Sequence, residues 1–240
     1  PAAARDQVVL FPDTYTMFIE PENGKAAIRT LEAANVHVTI APYTGGSGRP
    51  PFSKGMLDVA RARAEQTLAI LMPEVEAGRS VVVIEPSDAV MLQSDYLDLL
   101  GDEASELAEA TYGIMEYLRA TDALVAMPMA GETRTVQYHG HCHQKATGRA
   151  DAAAEVLSAA GYDVDTIDST CCGMAGSFGY EREHYDLSQA IGDILVDQLE
   201  PNSSIVAASG TSCRTQLGDR AIAAEHPIQL VAAALDAATS

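Results

Sequence analysis

Apolar and polar positions alternate in blocks along this chain. Six short apolar runs stand out: Val8–Phe11, His37–Ile40, Ser80–Ile84, Thr135–Tyr138, Asp163–Ile167 and Ser204–Ala208. Between them lie longer stretches in which apolar residues recur every three or four positions: Glu22–Ala34, Met56–Leu71, Arg149–Ala159 and Glu181–Leu199. Runs of the first kind read as buried strands and stretches of the second kind as amphipathic helices. Buried strands alternating with helices predict a parallel sheet in an α/β fold. Two more helices are predicted near Ser105–Arg119 and Pro227–Leu235.

The pattern occurs twice. Leu31-Glu32-Ala33-Ala34-Asn35-Val36 falls on Leu157-Ser158-Ala159-Ala160-Gly161-Tyr162, Ile40 on Ile167, and Thr44-Gly45-Gly46 on Cys171-Cys172-Gly173. Asn35 and Gly161 both suit the left-handed position that ends a helix. The expectation is an internal duplication into two pseudo-symmetric parallel-sheet halves, 1–122 and 123–240. Ligands of such folds sit at the carboxyl ends of the strands.

Composition narrows the classes. A hydrophobic content of 47% argues against disorder. Aromatics are few and tryptophan is absent, so no stacking surface for nucleic acid is expected. A net charge of −19 repels phosphate backbones and anionic lipid. No apolar run reaches the roughly 20 residues of a spanning helix, and no secretory signal opens the chain. Sparse cysteines point to a reducing, cytoplasmic setting, with peripheral membrane attachment only through partners. The start at Pro1 fits a fragment of a longer protein.

Cysteine changes the picture most. All four, Cys142, Cys171, Cys172 and Cys213, lie in the second half, each just after a predicted strand. Their first-half counterparts are about Tyr15, Thr44, Gly45 and Asp88, none of them a cysteine. Four thiolates at one sheet edge suit an iron–sulfur cluster or zinc. Zinc sites usually carry two Cys-x-x-Cys knuckles, which are absent here. Buried free thiols and a strained Cys171–Cys172 disulfide are the other readings. Gly173 and Gly176 lie in a glycine-rich run whose backbone N–H groups can donate to sulfur, and Lys145 and Arg214 can offset cluster charge or stand as solvated surface cations. His139, His141 and His143 alternate, so an extended chain points them away from Cys142; one could ligate or shuttle a proton if the chain turns after His141, but a hydrogen-bonded supporting role is the preferred reading for each. His184 reads as surface or packing, and His37 and His226 carry no motif.

The runs Tyr138-His139-Gly140-His141-Cys142-His143-Gln144-Lys145, Cys171-Cys172-Gly173 and Gly210-Thr211-Ser212-Cys213-Arg214 resemble the cysteine-rich CCG domain. That domain occurs in heterodisulfide reductase and in iron–sulfur subunits of glycolate and glycerol-3-phosphate oxidation. The closest resemblance is to the C-terminal iron–sulfur module of FAD-linked 2-hydroxyacid dehydrogenases. Gly48-Arg49-Pro50 and Glu85-Pro86-Ser87 match the family's first repeat.

The resemblance implies a 4Fe–4S cluster on the four cysteines, with 1–122 a degenerate repeat lacking ligands. It implies a flavin on another domain or subunit, a ferredoxin-type domain, and a quinone, cytochrome or other carrier as acceptor. The substrate would be D-lactate, glycolate or 2-hydroxyglutarate. No G-x-G-x-x-G follows a strand, so the isolated chain is not expected to oxidise substrate. Heterodisulfide reductase motifs add a fifth thiolate where this chain has Gln216, which weighs against thiol/disulfide catalysis. A non-redox interaction domain holding a structural zinc is the remaining alternative.

Overall fold

The computed structural model describes residues 6–125, 127–130, 135–169, 171–200 and 204–239. Two compact units divide the chain, Pro1–Met127 and Pro128–Ser240. The first holds strands β1 (Asp6–Phe11), β2 (Val36–Ile40), β3 (Ser80–Val83) and β4 (Thr111–Gly113) in the order β2-β1-β3-β4. The second holds β5 (Thr135–His139), β6 (Asp163–Thr166), β7 (Ile205–Ala208) and β8 (Ala224–Glu225) in the order β6-β5-β7-β8. Every pairing in both sheets is parallel, so the strand order and direction are the same in the two halves.

The central strands are the apolar ones for a physical reason. A parallel strand covered by helices on both faces buries every side chain. Val8, Val9, Val81, Val82 and Val83 are accordingly fully buried. At the edge, β2 keeps one buried side chain, Val36, and exposes His37, Thr39 and Ile40. Helix Leu57–Glu76 covers the first sheet through Ala60, Ala64 and Leu71, joined by Met91, Leu92, Tyr96 and Leu107. Full burial of each such Leu or Met side chain is worth about 1.5–3 kcal/mol.

Local signals set the helix ends. Helix Pro21–Ala33 starts on a proline, which lacks only an N–H that has no partner in a first turn. It stops before Asn35, at φ +62°, and helix Asp151–Ala159 stops before Gly161, at φ +97°. Both residues adopt the left-handed conformation expected of them. One expectation fails: the helix near Ser105–Arg119 is two helices, Ser105–Ala110 and Ile114–Ala120, with β4 between them. Gly113 is extended, and its N–H donates to Glu116 Oε2 at 3.2 Å, capping the second helix. Helix Tyr185–Val196 is also shorter than its expected span, because Glu181–His184 form turns. Among the described residues no helix is long and apolar enough to cross a membrane.

Strand register aligns the halves. Val8 pairs with Val38 and Ser80, as Val136 pairs with Val164 and Ile205. Counting on from β3 and β7, Glu85 and Gly210 each cap a helix, and Asp88 and Cys213 are each the third residue of that helix. Counting from β1 and β5, Asp13 and His141 are the caps, so Thr14 rather than Tyr15 stands opposite Cys142.

Candidate metal centre

Three adjacent strands of the second sheet deliver the cysteines. The central strand β5 ends at His139, and the chain turns through Gly140 into the helix Cys142–Ala146. After β6 in the chain come Cys171 and Cys172. From β7, it passes Ser209 and Gly210 into the helix Thr211–Gly218, which carries Cys213. Cys172 and Cys213 are buried; Cys142 and Cys171 are half-buried. All four are free thiols.

Their sulfurs form a chain of hydrogen-bonding contacts. Cys171 touches Cys142 and Cys172, and Cys172 touches Cys213. Hydrogen bonds from Cys142 and Cys172 hold the Cys171 thiol far below its ordinary range. The bond from Cys172 does the same for Cys213, helped by His139 and by the charge of His141. Cys142 and Cys172 are pushed up as the donors of these bonds. A set of four soft thiols, two buried and two half-buried, fits an iron–sulfur cluster. Among the described residues no group of three or more His, Cys, Asp or Glu side chains is arranged to hold a single metal ion.

The loop around Cys171-Cys172 is held by close packing. Gly173, at φ +96°, donates its N–H to Cys171 Sγ at 3.3 Å. A Cβ on Gly173 would lie 2.3 Å from the Ser188 carbonyl oxygen, and one on Gly179 would lie 2.6 Å from Met174 Sδ and Ser188 Oγ. Gln216, where related motifs place a fifth thiolate, is buried and donates from Nε2 to the Ser188 carbonyl at 2.9 Å. It ties helix Thr211–Gly218 to helix Tyr185–Val196. Gly176 is different: it is exposed, and a Cβ there would meet open space. Gly173→Ala is therefore expected to cost about 3 kcal/mol or more, from strain and overpacking. Gly176→Ala should cost about 1 kcal/mol, from its positive φ alone. Thermal melts of the two variants check this contrast, and equal losses would refute it.

The two cations fare unequally. Lys145 is half-buried, its Nζ donates to the Ser169 carbonyl, and burial lowers its pKa. Arg214 is buried rather than solvated. It donates to the Ala208 and Ser209 carbonyls at 2.7 and 2.9 Å and to Thr211 Oγ1 at 3.0 Å, bracing the turn that presents Cys213.

The alternation of the histidines ends early: the strand stops at His139 and the chain turns at Gly140, so two of the three lie near the cysteines. His139 lies beside Cys213, and His141 packs its ring where a Cβ on Gly210 would stand, 2.3 Å from Cδ2. His141 Nδ1 also accepts from His143 N at 3.3 Å, capping the helix that carries Cys142. Ser169 and Ser188 carry no motif and were not legible as site residues. His184 stacks on Phe178 with centroids 4.3 Å apart and pairs with Glu181.

The family model of the cysteine-rich domain CCG matches residues 136–218, from β5 to the end of the helix carrying Cys213. Over those residues the second half is similar to a CCG cysteine-rich domain. Relatives of the whole chain extend the likeness beyond the CCG domain. One subunit of the anaerobic glycerol-3-phosphate dehydrogenase of Escherichia coli K12 is 28% identical over 98% of this chain and 60% of its own length. The glycolate oxidase iron-sulfur subunit of the same organism is 23% identical over 91% of this chain and 55% of its own. Its D-2-hydroxyglutarate dehydrogenase is 24% identical over 92% of this chain and 22% of its own. The chain thus spans three-fifths or less of these relatives, which are oxidoreductases or their subunits by name.

Proposed function

We propose that this chain is the iron–sulfur module of a flavin-linked dehydrogenase that oxidises a hydroxyacid or a related alcohol. Cys142, Cys171, Cys172 and Cys213 would hold one 4Fe–4S cluster, which supplies one-electron transfer when bound. The observation that carries the reading is the convergence of four free thiols at one sheet edge. The relatives' names point the same way. Glycerol 3-phosphate, glycolate and 2-hydroxyglutarate differ in size and charge, and share a carbon bearing hydroxyl and hydrogen. A segment common to proteins with such different substrates is the part that handles electrons rather than the substrate.

This chain's residues do the holding and tuning. The Gly173 N–H and the His139 ring stabilise anionic sulfur, and Ile167, Met174, Leu195 and Leu217 exclude water around Cys172 and Cys213. The first half, with Thr14, the Gly45-Gly46 loop and Asp88 at the corresponding edge, would hold no cluster and act as a degenerate repeat. Flavin and a ferredoxin-type domain would lie on other segments or subunits, with a quinone, cytochrome or other carrier as acceptor. The cell's reducing cytoplasm suits the free thiols. Gln216 is committed to Ser188, which speaks against a fifth thiolate's role and against disulfide reduction.

Iron and acid-labile sulfide should be measured on anaerobically purified full-length protein and on a Cys171→Ser/Cys213→Ser double variant. About four irons and four sulfides should disappear in the variant. Unchanged iron, or zinc in its place, would overturn the reading.

A further inference from the structure

We infer that His139 is a positioning residue whose Nε2–H donates to the Cys213 sulfur and raises the reduction potential of the centre. This rests on the reading of the four cysteines as cluster ligands. His139 is the last residue of β5, pairs in register with Ala208 on β7, and is 1% exposed. Its Nδ1 lies 2.6 Å from Ser169 Oγ. The Cys213 sulfur interacts with the same ring, and Nε2 is buried with no hydrogen-bond partner.

The tautomer follows from what surrounds the ring. If Nδ1 carried the proton, the bare lone pair of Nε2 would be the ring's only remaining polar group, buried beside an anionic sulfur. Such an unpaired acceptor costs about 1–3 kcal/mol, and the thiolate would add repulsion. With the Ser169 hydroxyl donating to Nδ1, the proton sits on Nε2 and meets the sulfur, so both ring nitrogens are satisfied. Ser169 is in turn fixed by its own N–H, which donates to the Ile167 carbonyl at 2.9 Å, and by Lys145 on its carbonyl. Ser169 therefore sets the donor that faces Cys213. A hydrogen bond to ligand sulfur stabilises the more negative, reduced state of a cluster and so raises its potential.

The test is an anaerobic redox titration of the full-length protein, following by electron paramagnetic resonance the signal that Cys213→Ser abolishes. His139→Phe should shift the oxidised-to-reduced ratio about tenfold toward oxidised at a fixed poise, which is about 59 mV for one electron. His139→Gln should stay near the wild type, because its amide N–H can occupy the Nε2 position. Ser169→Ala should move in the direction of His139→Phe with a smaller shift. An unchanged potential in an iron-replete His139→Phe would overturn the inference. Should that variant lose its iron, Ser169→Ala decides, and an unchanged potential there overturns it equally. If Cys213→Ser left both signal and iron content intact, the cluster assignment would fail, a result separate from any His139 shift.

Discussion

Cys213→Ser in the full-length protein is expected to leave reduction of the flavin by substrate intact and to slow reoxidation by the acceptor at least ~100-fold. Loss of partners around a metal ligand already costs 10–100-fold in affinity or activity, and loss of a ligand costs no less. Cys213 is the place for the largest effect. It is 2% exposed, is the third residue of the helix Thr211–Gly218, and contacts both Cys172 and His139. Serine there replaces a soft, ionised sulfur with a hard, neutral hydroxyl among Ile167, Leu195 and Leu217. Rapid mixing separates the two steps. Failed flavin reduction in a folded, flavin-replete variant would place Cys213 in substrate oxidation and sink the electron-carrier role.

Much of this arrangement was legible in the residues. The central strands announced themselves because burial on both faces demands unbroken apolar runs such as Val81-Val82-Val83. The cysteines could be placed at one edge because each follows such a run, and the carboxyl ends of parallel strands share an edge. Asp88 could be matched to Cys213 because β3 and β7 are both followed directly by a capped helix.

What escaped had physical reasons. β4 is three residues long and β8 two, too short for any periodicity, and Thr111-Tyr112-Gly113 lies inside a helical pattern. The early turn at the histidines was not legible, because period-two alternation holds only while the strand lasts. Gly140 ends it, and the turn brings His139 and His141 to the sulfurs. Arg214 was open to reading as a solvated cation because sequence gives no sign of the carbonyls that a turn leaves unpaired. Asp13 had no motif at all. Its importance comes from register, which brings it to the same edge as Glu85 and Asp88.

That first-half edge carries the second large effect. Asp88→Asn is expected to stabilise the protein at pH 8 by roughly 3–4 kcal/mol and to do almost nothing at pH 5. Asp13 and Asp88 are buried, and Glu85 lies nearby. Burial, then the charge of Asp13, pushes Asp88 up from 3.8 to about 7, against the pull of the Ser47 hydroxyl and Arg49. Burial likewise pushes Asp13 up to about 6. One oxygen of Asp13, Oδ2, has no hydrogen-bond partner. Both groups bind protons more tightly folded than unfolded. Between about pH 4 and 7 the native state therefore holds more protons than the unfolded chain, and stability falls as pH rises through that window. For Asp88 the full span is worth about 4 kcal/mol, shared in practice with Asp13 because the two titrate together. Asparagine keeps an Oδ1 for the Ser47 hydroxyl and removes the charge, so it recovers this loss only where the acid is ionised. Melts of Asp88→Asn and wild type at pH 5 and pH 8 should differ by about 5–15 °C at pH 8 and converge at pH 5. Equal stabilisation at both values, or destabilisation at pH 8, would show that the carboxylate is compensated in the fold and that the strain inferred for this edge is absent.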